Sequence, residues 1–290
     1  MTTISPALLI MALALLLAAA TSGFAAILLG VGRPPAMAGA FGSVEASGQP
    51  NQLGRITSIG LVSAFAVLLV ALVARTIATG HAPWSNLHEF SLAFATALIG
   101  TYLLLARAHP IDGLGPLLGL LAAGLVTIAL GLDDRVDPLV PALQQPLLLT
   151  IHVGSAVIAY AVSGVAFLAA VAEVGQDRSG DRIPLLPPAD VARSVGHRAV
   201  LIAFPILTIA IVLGSVWANL AWRTYWSNDP KELAAAATWL VFGGYLHVAG
   251  RRDRWERLAP WLIVLGFAGV LFTYIGAGLF FIGEHSYAAP

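Results

Sequence analysis

Long apolar stretches separated by short polar segments run along the whole chain. A helix needs about 20 apolar residues to cross the hydrocarbon core of a bilayer. Stretches near this length predict eight helices. They lie near residues 6–30, 56–79, 88–106, 113–132, 147–172, 198–218, 233–249 and 258–283. The pattern therefore predicts an all-α fold, a polytopic membrane helical bundle of about eight transmembrane helices that forms a single membrane domain over residues 1–290.

The composition agrees with a membrane protein. Hydrophobic residues make up 58% of the 290 residues and charged residues 10%, whereas soluble domains carry about 25% charged residues. The mean hydropathy is +0.86. The formal net charge is zero, so nothing indicates a nucleic-acid partner. Residues 1–30 lack the basic start of a signal peptide, which favours a retained first helix.

The basic residues predict an orientation, because cytoplasmic segments of membrane proteins are enriched in Lys and Arg. With the N terminus placed outside, eleven basic residues fall on the inner side and four on the outer side. The inner residues are Arg33, Arg55, Arg107, Arg178, Arg182, Arg193, Arg198, Arg251, Arg252, Arg254 and Arg257, and the outer ones are Arg75, Arg135, Arg223 and Lys231. Both termini and the segment 217–232 are then extracytoplasmic, and 173–197 is a cytoplasmic loop.

The segment 217–232 is unusually aromatic. It reads W-A-N-L-A-W-R-T-Y-W-S-N-D-P-K-E and holds three of the seven Trp residues. Asp229, Pro230 and Glu232 have the spacing of a helix N-cap, a first-turn proline and a capping box. The rings fit either an aromatic belt at the membrane surface or a binding surface for a flat apolar ligand.

The histidines are the strongest nitrogen ligands available for iron in a chain that has no Cys. His152 and His285 lie at the predicted outer ends of two helices, with the Trp-rich segment between them in sequence. Two imidazoles from different helices can ligate one haem iron, although each alone could be an interfacial residue solvated by headgroups. His247 lies near the inner end of the seventh predicted helix, where an ionisable side chain is a functional candidate or snorkels to the headgroups.

A second polar segment, 84–92, precedes the third predicted helix. Ser85 or Asn86 can cap this helix and Glu89 falls in its first turn. The same residues could line a ligand pocket instead, and the residues alone leave both interpretations open.

These motifs resemble those of a known family, the haem-handling WWD membrane proteins, and specifically the cytochrome c biogenesis proteins called CcsA or ResC. The family reads close to W-A-N-x-A-W-G-x-Y-W-S-W-D-P-K-E, and this chain departs at Arg223, where Gly is usual, and at Asn228, where Trp is usual. Segment 84–92 resembles S-N-L-Y-E-S, with His88 in place of Tyr. The matching residues in the Trp-rich segment are Trp217, Ala218, Asn219, Ala221, Trp222, Tyr225, Trp226, Ser227, Asp229, Pro230, Lys231 and Glu232.

The resemblance implies a site and its ligand. The segments around His152 and His285 resemble those that carry the family's two external haem-ligating histidines. The segment ending at His247 resembles the one that carries an intramembrane haem-binding histidine. Haem b is the implied substrate and bound ligand. Trp217, Trp222 and Trp226 would stack on or wall the ring. Asp229 could be a general base or an orienting residue, although helix capping is enough to explain it. Because the predicted outer face has few other cations, Arg223, Arg135 or Lys231 could pair with the propionates.

The resemblance also implies an activity and partners. The family delivers haem across the bacterial plasma membrane or plastid thylakoid membrane. With a CcsB or ResB partner, which supplies a second inner histidine, it forms a synthase that attaches haem to the C-x-x-C-H thiols of apocytochrome c. One alternative is a CcmC-like exporter that passes haem to a periplasmic chaperone. Another is a cytochrome b-like electron-transfer subunit, which needs four histidines in facing intramembrane pairs.

Overall fold

The computed structural model describes residues 6–29, 52–135, 139, 143, 146–183, 186–249, 255, 257–281 and 283–285. Over these residues the secondary structure is helical and contains no strand, which confirms the predicted all-α class. The main helices are α1 (Pro6–Leu28), α2 (Gln52–Thr79), α3 (Leu87–Ala106), α4 (Gly115–Leu130), α5 (Pro146–Ser179), α6 (Ala189–Trp222), α7 (Pro230–Ala249) and α8 (Ala259–Leu271), followed by a π-helical turn (Phe272–Gly276) and α9 (Ala277–Phe280).

Seven segments within these helices are long and apolar enough to cross a membrane, and the last of them runs from α8 through α9. The protein is therefore a multi-pass membrane protein, as predicted. Large apolar side chains such as Ile77, Leu240 and Phe280 are exposed on its surface, where lipid would solvate them. Among the described helices α7 is long enough, at 20 residues, but it is not one of the seven, since it carries Lys231, Glu232 and His247.

Helix α5 occupies the centre of the bundle. It packs along α6 and also contacts α3 and α8, and 72% of its most apolar stretch is buried. Helix α1 packs on α2 and α4, α3 joins this group to α5, and α7 packs against α6 and α8. Small residues such as Ala161, Ala166 and Ala169 are fully buried along α5 and allow the neighbouring helices to approach closely.

Helices α5 and α6 extend well beyond the predicted membrane stretches. Each has 34 residues, which corresponds to a length of about 51 Å. The prediction of a loop over 173–197 is therefore wrong for most of that range, since the chain is helical to Ser179 and again from Ala189. An ion pair of 2.7 Å between Glu173 and Arg193 joins the two extensions. The hydrophobic runs do not predict this ion pair.

The start of α3 agrees with the capping prediction. Asn86 is the N-cap, and its side-chain oxygen accepts a hydrogen bond of 2.9 Å from the backbone N–H of Glu89. The Glu89 carboxylate accepts hydrogen bonds from both the backbone and the hydroxyl of Ser85. It also forms a fully buried 2.7 Å ion pair with Arg75 of α2.

The orientation of the protein in the membrane stays a prediction. Four of the basic residues on which this prediction depends lie outside the described residues: Arg33, Arg251, Arg252 and Arg254.

Candidate functional site

A cavity lies at the end of the bundle where α3, α5 and α7 begin and α6 ends. Its volume is about 180 Å³. Trp84, Phe90 and Tyr160 form part of a mostly apolar wall, and His152 and His285 are among the few polar groups that line it. A predominantly apolar cavity with a few converging polar groups is typical of a small-molecule site.

The imidazole of His152 is held against α6. Its Nδ1 lies 2.8 Å from the carbonyl oxygen of Ala210, so Nδ1–H donates and Nε2 becomes the coordinating nitrogen. Gly214 makes this approach possible, because a Cβ atom at that position would lie 2.6 Å from Cε1 of the ring. The chain thus fixes both the position and the tautomer of His152.

The imidazole of His285 is held by Asp229. Nδ1 donates to Oδ1 of Asp229 at 2.9 Å, and the backbone N–H of His285 donates to Oδ2 at 3.3 Å. A side chain on Gly283 would collide with the same carboxylate. A carboxylate that accepts from one ring nitrogen orients the ring and raises the basicity of the other nitrogen. Both imidazoles are therefore arranged to present Nε2.

Burial and the polar interactions of Asp229 have opposite effects on the pKa of its carboxyl group. Burial by itself raises the pKa of this carboxyl group, but the hydrogen bond and positive charge of His285 and the backbone N–H groups of Lys231 and His285 lower it to about 2. Asp229 is therefore ionised at neutral pH and acts only as an acceptor.

Trp217 contacts both imidazoles. Its ring centroid lies 6.0 Å from that of His152, in a stacked arrangement, and 5.7 Å from that of His285. Trp222 packs edge-on against Trp217 and His285. Trp217 is only 1% exposed and packs with Leu143 and Leu149. These two indoles support the imidazoles from behind, and neither belongs to the cavity lining among the described residues.

The loop after α6 contributes Tyr225 and Trp226, which line the cavity and remain exposed at its edge. The indole N–H of Trp226 donates to Oδ1 of Asn228 at 2.8 Å. The loop ends in the predicted capping box: Asp229 accepts from the N–H of Lys231, and Glu232 accepts from the N–H of Asp229. Capping and ring orientation are thus two roles of one carboxylate, Asp229.

Sequence reasoning missed the deeper part of the cavity. Tyr160, Thr273 and Tyr274 line it, and the last two belong to the π-helical turn between α8 and α9. Such turns occur frequently at functional sites. The hydroxyls of Tyr274 and Ser91 form a hydrogen bond. The motifs of the chain gave no signal for these residues, since isolated Tyr and Thr in apolar runs are common in membrane helices.

The other histidines lie elsewhere. His247 is exposed near the far end of α7 and is not part of this cavity. His197 falls at the end of the predicted loop 173–197 but lies within α6, and its Nδ1 is 3.1 Å from the hydroxyl of Tyr245. His88 is buried, with Nδ1 2.8 Å from the carbonyl of Ala129. The cavity therefore takes two of the seven histidines.

The donor set of the cavity suits a porphyrin iron better than a bare metal ion. The described part of the chain contains no group of three or more His, Cys, Asp or Glu side chains placed to hold a metal. Two imidazoles are enough for haem, because the porphyrin supplies the four equatorial nitrogens and the protein only the axial ligands. The apolar walls match the flat face of the ring.

These features define a class, the multi-pass helical membrane proteins that have a paired-histidine, tryptophan-supported cavity at one end of the bundle. The sequence profile of the family described as cytochrome c assembly protein matches residues 84–285. The chain belongs to this cytochrome c assembly family, among the CcsA proteins.

Individual relatives agree with this assignment. The cytochrome c biogenesis protein CcsA of Synechococcus sp. (strain CC9902) is 32% identical over 91% of this chain and 95% of that protein. CcsA of Chlamydomonas reinhardtii is 35% identical over 76% of this chain and 65% of that protein. The solved cytochrome c heme lyase CcmF superposes with a TM-score of 0.65 at 23% identity, covering 94% of this chain and 47% of that chain. The last comparison concerns the fold alone, and the chain spans about half of that longer protein.

Proposed function

We propose that the protein handles haem in cytochrome c biogenesis, holding haem b between His152 and His285 on the extracytoplasmic side for covalent attachment to apocytochrome c. The observation that carries the proposal is the arrangement of these two imidazoles. They line one cavity and contact one indole, that of Trp217, and Nδ1 of each ring is fixed by an oxygen acceptor. Two imidazoles oriented in this way suit axial ligation of one iron.

The attachment reaction needs positioning more than acid–base chemistry. Each thiol of a C-x-x-C-H segment adds across a vinyl C=C of the porphyrin. A carbon–sulfur bond forms, the thiol proton passes to the other vinyl carbon, and no atom leaves. The chain has no Cys, which agrees with thiols that come from the substrate. Holding the vinyl groups beside these thiols makes the addition effectively intramolecular, and the substrate's own histidine can then displace one imidazole.

A second haem position follows from His247. Its exposed side chain near the far end of α7 is accessible to a neighbouring protein. We infer that a CcsB-type partner supplies the second imidazole of an inner site there. Two sites in sequence would lower the cost of moving a charged porphyrin across lipid, since each propionate in hydrocarbon costs several kcal/mol.

Haem-binding variants test the outer site. The full chain, purified with any partner that copurifies, should show a bis-imidazole haem spectrum. His152→Ala or His285→Ala should abolish this spectrum and recover it with added imidazole, whereas His109→Ala, which alters a histidine outside the cavity, should behave like the wild type. Normal spectra in both cavity variants would refute the site.

Covalent attachment tests the activity. Co-expression with a CcsB-type partner and an apocytochrome c should yield haem that remains bound to the cytochrome after denaturing electrophoresis. Each cavity variant should reduce this yield. If the haem-loaded chain gave no covalent product but transferred haem to a soluble chaperone, the exporter alternative would replace the synthase proposal.

A further inference from the structure

We propose that Lys231 binds a propionate carboxylate of the porphyrin and so sets the orientation of the ring in the cavity. This inference rests on the proposed function, since it assigns a contact within the same haem site. Propionates are anions on an otherwise apolar ring, so a cavity that holds haem benefits from a cation at its edge.

Lys231 is singled out among the four basic residues predicted for the outer face. The Arg75 guanidinium is fully buried in its ion pair with Glu89. Arg135 is paired with Asp133 at 2.9 Å in an exposed position. Arg223 is exposed after the end of α6. None of these three residues lines the cavity, and Lys231 does.

The position of Lys231 is unfavourable for a cation unless an anion joins it. Lys231 is in the first turn of α7, where the partial positive charge of the helix N-terminus disfavours a basic side chain. It is also half-buried, so part of its hydration is lost. Among the described residues no acceptor lies within hydrogen-bonding distance of its ammonium group. These costs are recovered if a ligand carboxylate completes the site.

The nearby carboxylates are already committed. Asp229 accepts from His285 and from the backbone N–H of Lys231. Glu232 accepts from the N–H and hydroxyl of Ser227 and from the N–H of Asp229. The charge of Asp229 attracts the Lys231 ammonium, but both carboxylates are engaged in the helix cap, and neither has a hydrogen bond to this ammonium among the described residues. The cap uses only the backbone of Lys231, so side-chain substitution leaves it intact.

Haem and its dimethyl ester distinguish a propionate contact from a structural role. The ester keeps the iron, the ring and the vinyl groups but has no carboxylate. In Soret titrations of the full chain, Lys231→Gln should weaken haem binding about tenfold, which corresponds to about 1.4 kcal/mol, and should leave ester binding unchanged. Lys231→Arg should retain binding to within about threefold, because the charge persists. Arg135→Gln and Arg223→Gln make the same charge change outside the cavity and should bind haem like the wild type.

The outcomes separate this inference from the proposed function. A wild-type protein without an imidazole-ligated spectrum would refute the haem site and this inference with it. If the wild type binds haem with that spectrum but Lys231→Gln has no effect, only the assignment of Lys231 fails. The same holds if the variant weakens haem and ester binding equally, because the side chain would then act on the ring or on the fold.

Discussion

The carboxylate of Asp229 accepts a 2.9 Å hydrogen bond from Nδ1 of His285, 56 residues further along the chain. The same oxygen accepts a 2.8 Å hydrogen bond from the backbone N–H of Lys231 and caps α7. One side chain thus links the start of α7 to a proposed axial ligand, and the position of the ligand depends on the position of the helix.

The two roles of Asp229 can be separated by substitution. Asn caps helices about as well as Asp but lacks the negative charge that makes an imidazole more basic. Asp229→Asn should therefore keep the helix cap, lose only the stability that comes from the charge of Asp229, and bind haem about 10- to 100-fold more weakly. Asp229→Ala should lose the cap as well, at about 1 kcal/mol of stability. Thermal unfolding and Soret titration measure both properties, and wild-type haem binding by Asp229→Asn would leave Asp229 as a cap only.

Asp229 also predicts an acid-dependent loss of stability. The pKa of Asp229 falls from an ordinary value of 3.8 to about 2 in the folded chain, because the interactions with His285 and the backbone outweigh burial. A lowered folded-state pKa contributes stability that is fully present above about pH 4 and disappears as the pH falls towards 2. Thermal unfolding of the haem-free protein at several pH values should show the gap between wild type and Asp229→Asn closing over this interval. A gap that is constant from pH 5 to pH 2 would contradict the prediction.

Gly214 predicts a steric effect on His152. A methyl group there would lie 2.6 Å from Cε1 of the imidazole, so Gly214→Ala should displace the ring and weaken haem binding roughly tenfold or more. Gly124 of α4 is the matched control, because a Cβ atom at that position meets nothing within 4 Å. Gly124→Ala should leave haem binding unchanged and, where it has an effect, stabilise the helix by up to about 1 kcal/mol. Equal haem affinity in the two variants would show that the ring does not need this space.

Periodic and compositional signals in the sequence predict much of this fold. Apolar stretches near the bilayer length locate the helices, and the turn chemistry of Asn86, Asp229 and Glu232 locates two helix starts to within a residue. These features are local, so a single sequence contains them. The extensions of α5 and α6 depend instead on the pairing of Glu173 with Arg193, 20 residues apart, and no apolar stretch marks such a contact.

In the candidate site, too, the sequence predicts local features but not long-range contacts. His152 and His285 are predicted from their places at helix ends, and the structure brings them to one cavity. Their supporting groups are not predictable from the sequence, because the carbonyl of Ala210 and the missing side chain of Gly214 have no chemical signal of their own. The indole of Trp217 is predicted as part of the site, but packing behind the imidazoles follows only from the crossing of α5 and α6.

The buried ion pair between Arg75 and Glu89 predicts that removing one charge lowers the unfolding free energy much more than removing both charges together. Both side chains are fully buried, and the pair joins α2 to the segment that forms one wall of the cavity. Glu89→Gln leaves a buried guanidinium without its counter-ion and should cost about 3–5 kcal/mol of unfolding free energy. Arg75→Met combined with Glu89→Met removes both charges and should recover much of this loss.

The exposed pair of Arg135 and Asp133 is the control for this measurement. Its side chains are 79% and 58% exposed, so Asp133→Asn should leave the unfolding free energy nearly unchanged. Denaturant or thermal unfolding in detergent micelles gives these values. If Glu89→Gln changed the unfolding free energy as little as Asp133→Asn does, water would have to reach the buried pair.

The left-handed backbone of Arg223 predicts a stabilising substitution. Arg223 follows the last residue of α6 with a φ of 62°, a conformation that costs a residue with a side chain about 1 kcal/mol relative to Gly. The CcsA family motif usually has Gly at this position, which agrees with the positive φ of the backbone there. Arg223→Gly should raise the unfolding free energy by about 1 kcal/mol without changing haem affinity, and Arg223→Ala, which keeps a Cβ atom, should not. Thermal unfolding of the three proteins checks this, and equal effects of Gly and Ala would attribute the gain to the lost charge rather than to the backbone.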